Sequence, residues 1–138
     1  MKGRAVGVVA ILGAIALAGC MPSAQMQASE QAEAAKELTQ ALGDRTPGTP
    51  RDCISTSDSD APQVIDDHTI LYKPVGRTLW RNDLAASCPG LRPYTTLIVE
   101  VHGSQICRND RFRVLDPGTT IPSAYCMFGK FTPYEMAK

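Results

Sequence analysis

Residues Thr95 to His102 read TTLIVEVH, and apolar and polar side chains alternate along the second half of this stretch. In a β-strand, successive side chains point to opposite faces, so a period of two separates a buried face from an exposed one. Leu97, Val99 and Val101 then share one face, and we expect that face to enter a hydrophobic core.

Short β-prone runs continue on both sides of this strand, with turn residues such as Cys88-Pro89-Gly90 between them. Gly103 favours a tight hairpin from Thr95–His102 into Ser104–Arg108. Short strands at this spacing predict an all-β fold, a small antiparallel barrel or sandwich of about six to seven strands. The other predicted strands are Cys53–Ser57, Thr69–Lys73, Thr78–Arg81, Phe112–Leu115 and Ala124–Phe131. The further predicted core residues are Ile70, Leu79, Ile106, Phe112 and Val114.

The N-terminal residues follow a different pattern. Lys2 and Arg4 precede an uncharged apolar run that is shorter than the roughly 20 residues needed to span a bilayer. Such a run has the dimensions of a signal peptide, and residues 1–19 are predicted to be one. It ends in Leu17-Ala18-Gly19-Cys20, which resembles the bacterial lipobox. That resemblance implies cleavage between Gly19 and Cys20, a diacylglycerol group on the Cys20 thiol and acylation of the new amino group.

Residues 20–50 are predicted to be the lipidated cysteine and a flexible or partly helical tether, because they are polar and lack aromatic side chains. Ser29 is expected to cap a helix from Glu30 to Leu42, with Gly43 as its end. A helix that docks on a partner is the alternative. Met21 resembles the residue after the cysteine in outer-membrane lipoproteins. The predicted location is therefore the cell envelope, on the outer membrane facing the periplasm.

Residues 51–138 form the predicted domain, and a domain of this size needs covalent staples. It contains four cysteines, and an even number in an exported domain predicts two disulfides and no free thiol. Three pairings are possible. We favour Cys53–Cys126, because the first and last strands of a small closed sheet often lie side by side, and Cys88–Cys107 then remains. The wide spacing of the cysteines argues against a zinc site.

Several short motifs in this domain occur in a specific order. They are Cys53-Ile54, Asp66-Asp67 before Thr69-Ile70, Asn82-x-Leu84, Cys88-Pro89-Gly90-Leu91, Ile106-Cys107, and Cys126 with Gly129. In these features the chain resembles a family of small bacterial lipoproteins that is defined only as a domain of unknown function. The resemblance implies the architecture described above and brings no activity with it.

The sequence contains little that indicates chemistry. Asp66, Asp67 and His68 are neighbours, but on a strand Asp67 and His68 would face opposite sides, so we expect neither a metal nor a cofactor. The serines carry no nucleophile-elbow motif, so an enzyme is not expected.

The chain has 14 basic and 14 acidic side chains, a balance that gives no reason to expect nucleic-acid binding. Arg108, Arg111 and Arg113 are read as a solvated strand face or as ion pairs.

A binding or structural role without catalysis is the class that remains. Trp80 with Arg77 and Arg81 is the predicted exposed binding site, because Trp, Tyr and Arg are frequent anchors of interfaces. The expected partners are the membrane, through the lipid on Cys20, and an envelope protein or a peptidoglycan-associated partner. One alternative is an inhibitor of an envelope hydrolase such as lysozyme, whose general build is similar. The other is a small hydrolase that uses Asp66 or Asp67.

Overall fold

The computed structural model describes residues 23–57, 60–73 and 76–137, and strands predominate among them. Within these ranges, ten strands and one helix form three layers: the helix, a five-stranded sheet and two smaller sheets, with the main core between the large sheet and the smaller ones. Every strand pair is antiparallel, and none of the three sheets closes into a barrel within the described ranges. The predicted all-β class is confirmed in the form of a small sandwich-like fold.

The strands are short and fall into three sheets. The large sheet has the order β1-β10-β5-β4-β3, a second sheet pairs β2 with β7, and a third has the order β6-β8-β9. Their bounds are β1 Arg45–Pro47, β2 Cys53–Ser55, β3 Asp60–Val64, β4 Thr69–Lys73, β5 Thr78–Asp83, β6 Thr96–Val99, β7 Gln105–Cys107, β8 Arg111–Leu115, β9 Cys126–Met127 and β10 Phe131–Met136.

Helix α1 spans Ala24–Leu42, so its predicted end is confirmed and its predicted start is too late. Ser23, not Ser29, is the N-cap, and its side chain accepts a hydrogen bond from the Met26 N–H at 3.2 Å. Gly43 ends the helix at a φ of +56°, and its N–H donates to the Thr39 carbonyl. A glycine adopts this backbone conformation without the steric cost that a side chain would add.

The helix packs on the domain instead of serving as a free tether. Ala34, Leu38, Ala41 and Leu42 recur at the spacing of one helix face, and they pack against Leu71 and Leu79 of the large sheet and against Ile65, which directly follows β3. The Gln63 side-chain amide also donates to Glu37 at 2.7 Å. Strand β1 then pairs with β10. The folded unit therefore begins well before residue 51, and much of the predicted tether of residues 20–50 belongs to it.

The main core lies between the large sheet and the two smaller ones. Phe112 and Phe128 stack there with 4.5 Å between ring centroids, and Phe128 also contacts Phe131. Of the predicted core residues, Ile70, Ile106, Phe112 and Val114 are buried in this core, and Leu79 is buried beneath the helix. Leu97 and Val99 pack against its edge, whereas Val101 is exposed, contrary to prediction.

One polar side chain crosses this core. Asn82 is fully buried; its Nδ2 donates to the Gly129 carbonyl at 2.9 Å, and its Oδ1 accepts from the Gly129 N–H at 2.9 Å. Both ends of the amide are thus satisfied, which buried polar groups require. A Cβ at position 129 would overlap the carbonyl of Asp83, so only glycine allows this close approach.

The predicted hairpin from Thr95–His102 into Ser104–Arg108 is wrong. Only one isolated bridge, between His102 and Gln105, connects these segments. Strand β6 pairs instead with β8, where Leu97 lies opposite Val114, and β7 pairs with β2. In this arrangement the apolar side chains Leu97 and Val99 of β6 lie on the same side of the sheet as Val114 and Phe112 of β8. A hairpin between β6 and β7 would not bring them together.

The two predicted disulfides are present, but the favoured pairing is wrong. The bonds are Cys53–Cys107 and Cys88–Cys126, so all four cysteines of the described residues are oxidised. Cys53 on β2 lies directly opposite Cys107 on β7, whereas the last strand, β10, pairs with β1 and β5. Cys126 lies on β9 and reaches the loop that carries Cys88. The first and last strands, β1 and β10, are adjacent, but Cys53 lies on β2 and Cys126 on β9, so the error was to assign these two cysteines to the first and last strands.

Candidate functional site

The predicted binding residues Trp80, Arg77 and Arg81 do not form one surface. Trp80 is half-buried against the main core, and the Arg51 guanidinium lies 5.7 Å from its ring centroid. Arg81 is the next residue on β5, so it points to the opposite, helix-covered side of the sheet. Arg77 is exposed just before the strand. The alternation of side chains along β5 therefore divides the predicted site between two faces.

Arg81 is also paired within the chain. Its Nε donates to Asp83 Oδ1 at 2.8 Å, and its Nη2 lies 2.7 Å from the same oxygen. Burial disfavours the guanidinium charge, but the hydrogen bond and the charge of Asp83 outweigh that effect and raise the pKa of Arg81. The side chain is therefore held by its neighbour instead of being presented to a ligand.

A different surface has the composition of a binding site. It is the outer side of the three-stranded sheet, and we call it the open face: Ile98 on β6, Arg111 and Arg113 on β8, and Tyr125 and Met127 at β9. Ile98, Tyr125 and Met127 are all exposed. Register places Ile98 opposite Arg113 and Met127 opposite Arg111, so the five side chains are neighbours. Exposed apolar groups gathered in this way are typical of interaction surfaces.

Two arginines define the charge of the open face. The guanidinium carbons of Arg111 and Arg113 lie 4.8 and 5.3 Å from the Tyr125 ring centroid, within the range of cation–π contact. Arg111 also meets Glu100 at 3.1 Å. Arg113 donates instead to the carbonyls of Ser123 and Pro122, at 2.8 and 3.1 Å. Among the described residues no carboxylate pairs with Arg113, so its charge is not neutralised.

Sequence reasoning grouped Arg108, Arg111 and Arg113 but did not predict the open face. The structure separates Arg108, which lies 3.9 Å from Asp52, and keeps the other two together. The signal that could have been used is the run Arg111-Phe112-Arg113-Val114. Successive residues of a strand point to opposite faces, so both arginines lie on the outer face when Phe112 and Val114 enter the core. Tyr125 gave no such signal, because only the pairing of β8 with β9 brings it to the arginines.

A groove of about 910 Å³ lies on the other side of the molecule, between helix α1 and two loops. The first half of the helix supplies Gln27 and Glu30, and the loops contribute residues 65–69 and 88–93. Asp66, Asp67 and His68 lie on its wall. The groove therefore contains the Asp66, Asp67 and His68 cluster that the sequence had singled out.

Asp67 is the centre of that cluster. Its carboxylate accepts hydrogen bonds from the Ser87 hydroxyl and from His68 Nδ1, the latter at 2.8 Å. Burial favours the neutral acid, but these hydrogen bonds and the charge of His68 outweigh it and lower the pKa of Asp67. A serine nucleophile needs a histidine base between itself and the carboxylate, whereas here the carboxylate lies between serine and histidine. With the Cys88 N–H bonded to the Asp67 carbonyl at 2.9 Å, the arrangement joins two loops.

The same three residues are close enough to share a cation. Asp66, Asp67 and His68 each place one ligand atom within 4.8 Å of the others. The expectation that Asp67 and His68 face opposite sides does not hold, because they lie in the turn between β3 and β4 and not on a strand. Asp66 accepts the His68 N–H at 2.8 Å and Asp67 is already bonded. The hydrogen bonds of the turn account for the cluster.

The predicted lipidation site lies elsewhere in the chain. Gly19 and Cys20, with the whole predicted signal peptide, fall outside the described residues. No helix within the described ranges is both long and apolar enough to cross a bilayer.

Comparisons with family models, with curated proteins and with solved structures find no match to this chain. The resemblance to a lipoprotein family of unknown function therefore stays a prediction.

Proposed function

We propose that the protein is a lipid-anchored envelope protein whose domain binds a partner protein through the open face and catalyses no reaction. The observation that carries the proposal is the exposed Tyr125 ring flanked by Arg111 and Arg113, with Ile98 and Met127 beside it. Tyr, Met and Arg are the residues enriched at the centres of protein interfaces. No cofactor is part of the proposal.

The build of the domain supports the envelope location. Two disulfides join segments that are far apart in sequence, and such bonds persist in oxidising compartments outside the cytosol. The predicted signal and the lipobox at Cys20 agree with that compartment. A lipid there would hold the chain stably once two or more acyl chains are attached.

The charge of the open face suggests the chemistry of the partner. Arg113 donates only to carbonyl groups among the described residues, so its guanidinium is available for a carboxylate. Planar guanidinium groups recognise carboxylates with paired hydrogen bonds, and apolar neighbours strengthen such contacts by excluding water. An envelope protein with an acidic surface is the partner that fits. An envelope hydrolase of this kind would make the protein an inhibitor.

Photo-crosslinking in intact cells tests the binding role. A crosslinking amino acid at position Met127 or Ile98 should give the same adduct, and Arg113→Glu should abolish it because the charge is reversed. The same amino acid at Gln40, an exposed position on the helix, is the matched control. Adducts that are equal at all three positions, or that survive Arg113→Glu, would refute the open face as the binding surface.

Cell fractionation tests the anchor separately. Cys20→Ala removes the acceptor thiol, so the protein should leave the membrane fraction or accumulate unprocessed. Ser23→Ala, a nearby change without a thiol, should leave the fractionation unchanged. Membrane attachment that persists in the Cys20→Ala variant, with normal processing, would contradict the lipid anchor.

A further inference from the structure

Two of the most exposed apolar side chains of the described residues lie on loops, outside the strands that form the open face. Tyr94 is 94% exposed and Ile121 is 82% exposed. A salt bridge of 2.6 Å between Arg92 and Asp116 joins the loop of Tyr94 to the loop of Ile121. The two side chains therefore project from connected loops at one end of the molecule, which we call the loop end.

The Tyr94 loop is a turn with an unusual residue in it. The Thr95 N–H donates to the Arg92 carbonyl at 3.2 Å, with Pro93 and Tyr94 in the central positions. Tyr94 has a φ of +72°, and the second central residue of such a turn is ordinarily glycine or asparagine. An aromatic side chain at a left-handed position is sterically costly and points to a role outside the fold.

The start of helix α1 and this end line the same groove. Gln27 and Glu30 of the helix border it together with Arg92 and Pro93, and Pro93 is the neighbour of Tyr94. Met26, also in the first turn of the helix, is exposed as well.

The helix begins at Ala24, only four positions after Cys20. Four residues span at most about 14 Å, whatever conformation they take. A lipid on Cys20 would therefore hold the first turn of α1 within that distance of the bilayer, on the side of the molecule where the helix and the loop end line the same groove. This reach is far shorter than that of a flexible spacer extending to residue 50.

We infer that Tyr94 and Ile121 insert into the interfacial layer of the bilayer that holds the lipid of Cys20 and so fix the orientation of the domain. The inference rests on the proposed lipid attachment. Tyrosine favours the headgroup level, where its ring is apolar and its hydroxyl stays hydrated, and isoleucine adds apolar area below it. The charged side chains that join the loops, Arg92 and Asp116, neutralise each other. We therefore expect these loops to bind a lipid bilayer, and the bilayer does not have to carry a net charge.

Quenching by lipids with brominated acyl chains tests this orientation. The full processed chain is reconstituted into phosphatidylcholine vesicles that contain the brominated lipid, and Tyr94→Trp, Ile121→Trp and Tyr125→Trp are compared with the parent, whose single tryptophan is Trp80. Tyr94→Trp and Ile121→Trp should be quenched at least twofold more than Tyr125→Trp on the open face. Two variants at the loop end keep the test valid if one of them does not fold.

The outcomes separate the two proposals. If the mass of the processed chain shows the acyl groups on Cys20 and the loop-end tryptophans are quenched no more than Tyr125→Trp, the orientation is wrong and the anchor stands. If the mass shows no acyl groups, the anchor itself is wrong and the orientation falls with it. Stronger quenching of Tyr125→Trp would place the open face on the membrane and overturn the inference directly.

Discussion

Two sheet faces outside the main core carry apolar side chains, and the chain treats them differently. On the large sheet, Leu71 and Leu79 are buried because Leu38 and its neighbours on helix α1 cover them. On the three-stranded sheet, Ile98 and Met127 stay exposed beside two arginines. The first surface is a second, smaller core, and the second is the open face.

In a small domain, a surface that stabilises the fold and a surface that binds a partner differ in whether the chain covers them. Each apolar Å² removed from water contributes about 25 cal/mol, so a chain of this size gains by covering every face that it can reach. The helix covers one face with alanine and leucine and leaves the other open. A face that remains open, and that combines aromatic, methionine and arginine side chains, has the composition of an interface and not of a neglected core.

Both faces belong to one folded unit and depend on its main core. The largest expected loss of stability therefore comes from a substitution in that core, at Asn82. Asn82→Asp removes the donor to the Gly129 carbonyl and places a carboxyl group at a site with no exposure. We expect a loss of about 3–5 kcal/mol in the free energy of unfolding, measured by urea denaturation at pH 7.

Asn109→Asp makes the same chemical change at an exposed position and serves as the control. It should alter the free energy of unfolding by no more than about 0.5 kcal/mol. A cost below about 1 kcal/mol for Asn82→Asp would show that the buried amide does not hold β5 to the segment at Gly129.

Two substitutions of an apolar side chain by serine, one on each face, compare how much each face contributes to stability. Leu38→Ser uncovers the face under the helix and should cost about 1–3 kcal/mol, because a half-buried leucine is lost from a packed cluster. Met127→Ser acts on the open face and should change stability by less than about 0.5 kcal/mol. Both are measured by urea denaturation, and equal costs would mean that the open face is also part of the stabilising core.

The sequence predicted local features well and long-range pairing poorly. The alternation around Phe112 and Val114, the strand Thr69–Lys73 and the helix end at Gly43 were readable because each depends on a few neighbouring residues. The partners of β6 and the disulfide pairing were not readable. They depend on which strands meet in space, and several pairings satisfy the same pattern of alternation.

Three strands that contain proline, β1, β3 and β10, were not predicted from the sequence. Pro47 lies on β1 and Pro62 on β3, and both are edge strands, where a missing N–H is tolerated. Pro133 lies on β10 just beyond its last residue pair with β1. The grouping of Trp80 with Arg81 on one surface failed for a related reason. Trp80 and Arg81 are adjacent in sequence, and adjacency on a strand separates side chains, whereas Arg111 and Tyr125 meet only through sheet pairing.

The smallest expected effect concerns the groove beside the covered face, where Asp67 joins its loop to Ser87. The pKa of Asp67 is lowered in the folded state, so its ionised form stabilises the fold above the ordinary aspartate pKa of about 3.9. That contribution is lost as the pH falls through the folded-state pKa. Asp67→Asn should therefore be less stable than the parent at pH 6, and the difference should shrink below pH 4. The effect is small because half of the side chain is exposed and solvent screens it.

Urea denaturation at a series of pH values measures this dependence, with Asp52→Asn as the control, since among the described residues the Asp52 carboxylate is paired only with Arg108, at 3.9 Å. Ser87→Ala provides a second reading, because it removes one of the hydrogen bonds that lower the Asp67 pKa. The pKa of Asp67, followed by NMR of its carboxyl carbon, should rise in that variant while the fold persists. An unchanged pKa would mean that Ser87 does not stabilise the carboxylate, and the backbone bonds from the Cys88 N–H to the Asp67 carbonyl and from the Leu84 N–H to the His68 carbonyl would then connect the loops.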